Sequence, residues 1–509
     1  MNRKKLRMTT NSLISSARHA RAIGPSARLH ARAIWLRAQR RARAVAGATL
    51  LAALAACAIG PTYHRPPTAD LEPRNVDARF TSAAPDAAWW RQFGDPVLTN
   101  LESRALAGDL DLQVAMSRVK SARAAFKETQ YDYAPHVQAQ GSYSRSKEQQ
   151  PGFTNTPIDI DSSSVGFDAS WEIDLFGHLR HQSAAAKAMV GAEQANLADV
   201  RVIVAAEVAR NYFELRGTQR QITVARVNLE NEREALRLTQ VRYEAGKVTE
   251  LDPDSALSRL KATQSTLPVL QAAEKRYGYR LAVLLGVNPG SLDVQLAAVP
   301  VQTMTASLPI GDVSALLRAR PDVRVAERNL AAATERVGVA TADLFPRVSF
   351  SGFVGFLAGD ESQLGNAVSR AWLINPAVSW PALDFGTVHA RLRGAKAEAD
   401  GALASYQKAV LLALEDFENA CVGYSTQEAR LASVLEQAQA SRRAAQLAEI
   451  QYREGSINFL VLLDAQRTLL QAEDELAQVE AAANTSAVAV YKALGGAGEG
   501  RDRGAGSPI

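Results

Sequence analysis

The chain has 509 residues, 22% of them charged and only 6% aromatic, and a formal net charge of +5. The positive excess sits in residues 1–43, which hold twelve Lys and Arg and no acid; the remainder carries 46 basic against 53 acidic residues. A basic balance confined to a leader excludes a nucleic-acid surface on the folded part. Ala, Leu, Gln, Glu and Arg fill long stretches, which favours long helices over a compact mixed core.

After Arg40-Arg41-Ala42-Arg43 an apolar run extends from Ala44 to Ala56. It is too short to span a bilayer and has the length of a signal-peptide core. It ends in Leu54-Ala55-Ala56-Cys57, similar to a bacterial lipobox, so residues 1–56 are expected to be leader and Cys57 the lipid attachment site. A small buried cysteine beside an ordinary cleavage site is the alternative. Ala58 rather than Asp follows, which fits outer-membrane sorting. One acylated cysteine ties a chain to a leaflet without making it span. Either translation starts downstream of Met1, or the long basic extension is tolerated. Cys421, the other cysteine, reads as a small helix-face residue.

Residues 57–95 form the anchored N-terminal segment. A repeat follows over 96–290, opening with apolar residues at helical spacing from Pro96 to about Tyr133, where Pro135 stops the helix. The period then changes to two. Val137, Ala139, Gly141 and Tyr143 alternate with polar residues, and so do Val165, Phe167, Ala169, Trp171 and Ile173. This predicts a hairpin over about 136–174, with strands of about ten residues, the length of a tilted transmembrane strand. A helix is expected from about Gln182 to Ala245, then a turn at Gly246, then a helix from Pro253 to Leu285 kinked at Pro268. His178 and His181 read as solvated.

Beyond a linker over 291–311, residues 312–495 repeat the pattern. Trp171 matches Trp380, Gly246 matches Gly455 and Gly286 matches Gly495, a constant offset that marks a tandem duplication. Pro321 opens a helix running to Asp343, and a hairpin spans about 347–383 with Pro381 at a strand end, bulge or edge. A long helix, a turn at Gly455 and a return helix to Leu494 follow; residues 496–509 read as a disordered tail. The fold class is therefore mainly α with a small membrane β part. Four strands cannot close a barrel, and open edges are not tolerated in lipid. Chains must pool strands: two give eight, three give twelve, and a wide polar conduit favours three or more. A soluble hairpin packed on helices is the alternative for the strands.

These features, in order and twice repeated, resemble the outer-membrane factors of tripartite efflux systems, the TolC-like family, and within it the OprM/NodT-type lipoproteins. The resemblance rests on Gly60-Pro61-Thr62-Tyr63, on Trp89 to Pro96, on Arg320-Pro321-Asp322-Val323, on Phe345-Pro346 and on Leu460 to Gln466. It implies a homotrimer with a twelve-stranded barrel on a periplasmic helical tunnel in the bacterial outer membrane. It implies as partners a periplasmic adaptor, an inner-membrane proton-driven transporter of the RND class and outer-membrane lipid, and no nucleic acid. Gly246 and Gly455 match the tips an adaptor grips. Leu460 and Asp464 match the closed periplasmic constriction, to which Asp252 and Asp254 add acids. Val461 and Ser255 stand where relatives carry further acids, so the plug is expected to lean on Leu460. No HExxH, GxSxG or phosphate loop is present, so no catalysis, metal or cofactor is expected beyond the acyl lipid at Cys57. The alternatives are the duct of a type I protein secretion system and, from another class, a lipid-anchored coiled-coil scaffold or adhesin without a pore.

Overall fold

The computed structural model describes residues 59–67, 73–149, 152, 155–292, 296 and 307–496. Cys57, the leader, most of the linker and nearly all of the tail lie outside them. After a short strand β1 (Phe80–Thr81) come helices α1 (Pro96–Gly108) and α2 (Leu110–Tyr131). Strands β2 (His136–Glu148) and β3 (Ile158–Ile173) follow, then α3 (His178–Glu244) and α4 (Leu251–Leu284). The second repeat holds β4 (Leu308–Pro309), α5 (Val313–Ala319), α6 (Pro321–Ala342), β5 (Arg347–Ala358), β6 (Arg370–Ser379), α7 (Phe385–Arg453) and α8 (Phe459–Ala493). The last residues of the paired helices, Glu244 with Arg453 and Leu284 with Ala493, keep the offset of the sequence repeat.

Helices α3 and α7 have 67 and 69 residues, about 100 Å each at 1.5 Å per residue. Alanine, leucine, arginine and glutamate sustain helix over that distance, and no proline interrupts either one. One half of α3 lies beside α2 and α6, the other beside α4; α7 pairs with α6 and then α8, and α3 packs on α8. No helix among the described residues is long and apolar enough to cross a membrane.

The helix expected over Pro96–Tyr133 is two helices. Its break falls at Asp109, which is extended and whose side chain accepts from the Leu112 amide at 3.0 Å. The Cα position of Gly286 explains the break's place: a Cβ there would lie 2.3 Å from the Gly108 carbonyl oxygen. The second repeat breaks at the corresponding junction, Arg320, before Pro321. Helix α4 begins at Leu251, so Pro253 is its third residue, where an amide has no intrahelical partner anyway. It runs unbroken through Pro268.

The main core lies where the two repeats meet around the middle of α3. The Trp89 to Pro96 motif builds it residue by residue. Trp89 stacks on Tyr491 with centroids 5.1 Å apart. Gly94 takes a positive φ of 65° to end the short helix before it. Asp95 caps α1 by accepting from the amides of Val97 and Leu98, and also accepts from the Tyr212 hydroxyl. Cys421 is buried in this core, as a helix-face residue should be.

Glu102 of α1 is fully buried, and neither carboxyl oxygen has a hydrogen-bond partner among the described residues. Burial pushes its carboxyl well above the usual range. Its folded form thus holds a proton that the unfolded chain releases near pH 4.3, so its contribution is full below about that pH and is lost as pH rises through the folded value. Glu102→Gln is expected to melt like the parent near pH 4 and above it at pH 7 and 8. Parallel melting curves at every pH would contradict this.

His178 and His181 are not solvated. His181 is buried, with Nδ1 2.6 Å from Glu335 of α6, and His178 lies 3.0 Å from Asp343. The His181 ring fills space left by two glycines: a Cβ on Gly338 would sit 2.4 Å from Nδ1, and one on Gly60 3.0 Å from Nε2. The N-terminal segment is thereby seated on the α3–α6 junction, with the Ile59 amide donating to the Phe176 carbonyl.

Candidate functional site: strand wall and helical tips

The four long strands form one antiparallel sheet in the order β2-β3-β5-β6. They have 13, 16, 12 and 10 residues, longer than the alternating cores suggest. The register pairs Val137 with Ala169, Ala169 with Gly352 and Gly352 with Ile374. Because pleated side chains alternate, Val137, Phe167, Trp171, Val354, Trp372 and Ile374 share one face. The opposite face carries Gln138, Gln140, Ser164, Asp168, Ser351 and Asn375. An apolar face this broad beside a polar one is the pattern of a strand wall between lipid and water.

Trp171 and Trp380, which first betray the duplication, do the same work twice. Each indole N–H donates to a backbone carbonyl in the turn that launches its hairpin, Tyr133 at 2.9 Å and Leu344 at 3.1 Å. The second hairpin ends at Ser379, so Pro381 lies in the following turn rather than inside the strand. Pro376 is the proline inside β6, an edge strand, where a missing amide is tolerated.

At the other end of the molecule the two turns are built alike. Gly246 has φ 63° and donates to the Tyr243 carbonyl, while Lys247 donates to Arg242. Gly455 has φ 78° and donates to Tyr452, while Ser456 donates to Gln451. Both are Schellman caps, which require a left-handed residue at that position. A Cβ on either glycine would meet nothing within 4 Å, so conformation rather than crowding selects glycine and the backbone stays open to a partner.

The return helices start differently. Asn458 caps α8 by accepting from the Val461 amide at 3.1 Å. Phe459 and Leu462 are buried, while Leu460 is 51% exposed and shares its face with the exposed Asp464 one turn on. Arg467 reaches back to Asp464 at 2.8 Å. That partner was not foreseen; its spacing of three residues is the signal that would have found it. The pair offsets the carboxylate charge at this level, so the exposed Leu460 stands beside a paired rather than a bare carboxylate.

The three acids, Asp252, Asp254 and Asp464, do not form one cluster. Asp254 and Arg467 line a groove of about 1130 Å³ together with Arg259, Gln471 and Asp474. Asp252 instead faces the junction of the two tips, where its charge acts on Tyr452. There the Arg242 guanidinium lies 4.1 Å over the Tyr452 ring, and its Nη2 donates to the Tyr452 carbonyl at 3.0 Å. Tyr452 in turn packs on Phe459, and Ala235, Ala256, Ala448 and Leu462 complete a small core that joins both hairpins. Among the described residues no cluster of His, Cys, Asp and Glu is arranged to hold a metal.

Known proteins share this architecture. The outer membrane efflux protein family matches residues 101–287 and 313–496, the two repeats. The pyoverdine export outer membrane protein OpmQ of Pseudomonas putida is 32% identical over 85% of this chain and 93% of its own. Nodulation protein T of Rhizobium leguminosarum is 29% identical over 84% and 91%. A solved structure of the outer-membrane channel OprN superposes with a TM-score of 0.82 at 46% identity, covering 86% of this chain and 99% of that one. The open MtrE channel of Neisseria gonorrhoeae gives 0.75 at 26% identity, covering 86% and 98%. The fold, the twofold repeat and these matches agree: the chain belongs to the outer membrane efflux protein family.

Proposed function

We propose that three copies of this outer-membrane efflux channel close a twelve-stranded barrel and form the exit duct of a tripartite pump for small molecules. The observation that carries it is the four-stranded sheet. Its edges, β2 and β6, have no partner strand among the described residues, its outer face is apolar and its inner face polar. Unpaired backbone in lipid costs several kcal/mol per group, so the sheet must close with other copies of itself. Cys57 carries the acyl anchor, and energy comes from an inner-membrane RND-class transporter coupled through a periplasmic adaptor. The adaptor grips the open glycine turns at Gly246 and Gly455. Leu460 closes the tunnel, with Asp464 and Asp254 held near Arg467 and Asp252 at the tip junction. Relatives named for efflux of antibiotics and toluene, each 31% identical, support a small-molecule cargo.

Leu460→Ala with Asp464→Ala removes both the plug and the anchor point of Arg467. The double variant is expected to raise single-channel conductance in planar bilayers several-fold. Unchanged conductance in a protein that still forms pores would remove these residues from the gate.

A further inference from the structure

The inner face of the sheet is mostly Ser, Gln, Gly, Asn and Ala between its rims; Leu357, opposite Ser164, stands apart near the end of β5, and one rung departs further. Gln138 pairs with Asp168, Asp168 with Phe353, and Phe353 with Leu373. Directly opposed side chains on one face have Cβ atoms about 5 Å apart. A carboxylate, an aromatic ring and a leucine therefore stand side by side, midway along β5 and in the helix-proximal third of β3. Leu373 is 56% exposed and Phe353 half-buried. Glu172, the other carboxylate near this height, lies two rungs closer to the helices.

The ring is held in a particular pose. Gly166 and Gly355 pair directly in the next rung, and a Cβ on either would come within 2.7 and 2.8 Å of Phe353 ring carbons. Phe353 thus lies flat over a patch of bare backbone, one face on the wall and the other toward the lumen. A flat ring face attracts cations through its quadrupole, and the adjacent carboxylate adds charge of the right sign.

We propose that this rung is a transit station for flat lipophilic cations, aromatic molecules with a delocalised positive charge. It rests on the duct reading, which makes this face the lumen and repeats the station three times. The ring stacks on such a cargo, Leu373 covers its apolar edge and Asp168 balances its charge. Weak binding is what a conduit requires, since cargo must leave as readily as it enters.

The test titrates rhodamine 6G against the purified full chain in nanodiscs, following fluorescence anisotropy above the signal from empty nanodiscs. Saturable binding is expected, with sulforhodamine, an anionic dye of similar shape, binding far less. Phe353→Leu, which keeps the bulk but not the ring, and Asp168→Asn should each raise the Kd roughly threefold, and together about tenfold. Ser349→Ala, lower on the same wall, should leave it unchanged. An unchanged Kd in the double variant, or equal binding of the anionic dye, overturns the station. The same preparations are examined in planar bilayers. Absence of any pore from the parent protein overturns the duct reading, whereas pores with unaltered dye binding overturn the station alone.

Discussion

Arg320→Ala is expected to lower the thermal stability of the protein by about 3 kcal/mol, the scale of stripping a buried, multiply bonded charge. The Arg320 side chain is 9% exposed and makes five hydrogen bonds. Its Nε and Nη2 grip Asp322 at 3.0 and 2.7 Å, and Nη2 also reaches Asp416 of α7 at 3.1 Å. Its Nη1 donates to the carbonyls of Ala493, at the end of α8, and Ala413, within α7, at 2.8 and 3.3 Å. Asp322 and Asp416 are partly solvated, so the charge pairs count for less than the two buried carbonyls. One planar fork thus ties the start of α6 to α7 and α8. Arg320→Lys keeps the charge but not the fork and should recover little. If lysine restored the full melting temperature, charge alone would be at work.

Gly355→Val is expected to abolish assembly of the strand wall. A Cβ there would lie 2.3 Å from the Val165 carbonyl oxygen and 2.6 Å from the Gly166 Cα, and both are backbone atoms that cannot rotate away. The crowding falls on the β3–β5 pairing, where the first repeat meets the second. Gly352, in the same strand, meets only the Leu373 carbonyl oxygen, at 3.3 Å. Gly352→Ala should therefore be far milder, and heat-resistant oligomers on gels would separate the two. Equal tolerance of both changes would mean that β3 and β5 sit farther apart than described.

Much of this was legible in the chain. Period-two alternation gave both hairpins, and unbroken runs of helix formers between prolines gave the long helices, because both are local patterns. The tips were legible because a left-handed cap demands glycine wherever it occurs. What escaped was tertiary. Asp109 breaks a periodic helix because Gly286 of a distant turn abuts Gly108. His181 looked solvated beside Arg180 and Gln182, yet two glycines far apart in sequence make room for its ring. Asp464 and Asp252 carry similar side chains near similar turns, but only the packed tips show that one faces Arg467 and the other Tyr452.

The strand order has a mechanical consequence. In the proposed ring there are two kinds of seam between repeats. The β3–β5 seams are stitched within one chain, and the β6–β2 seams hold only by contact between chains. Parting any one contact seam bares two strand edges to lipid at once, so partial opening has no comfortable resting place. Disassembly should be all-or-none and slow, an endurance set by the barrier to losing the first seam rather than by the balance of the assembled state.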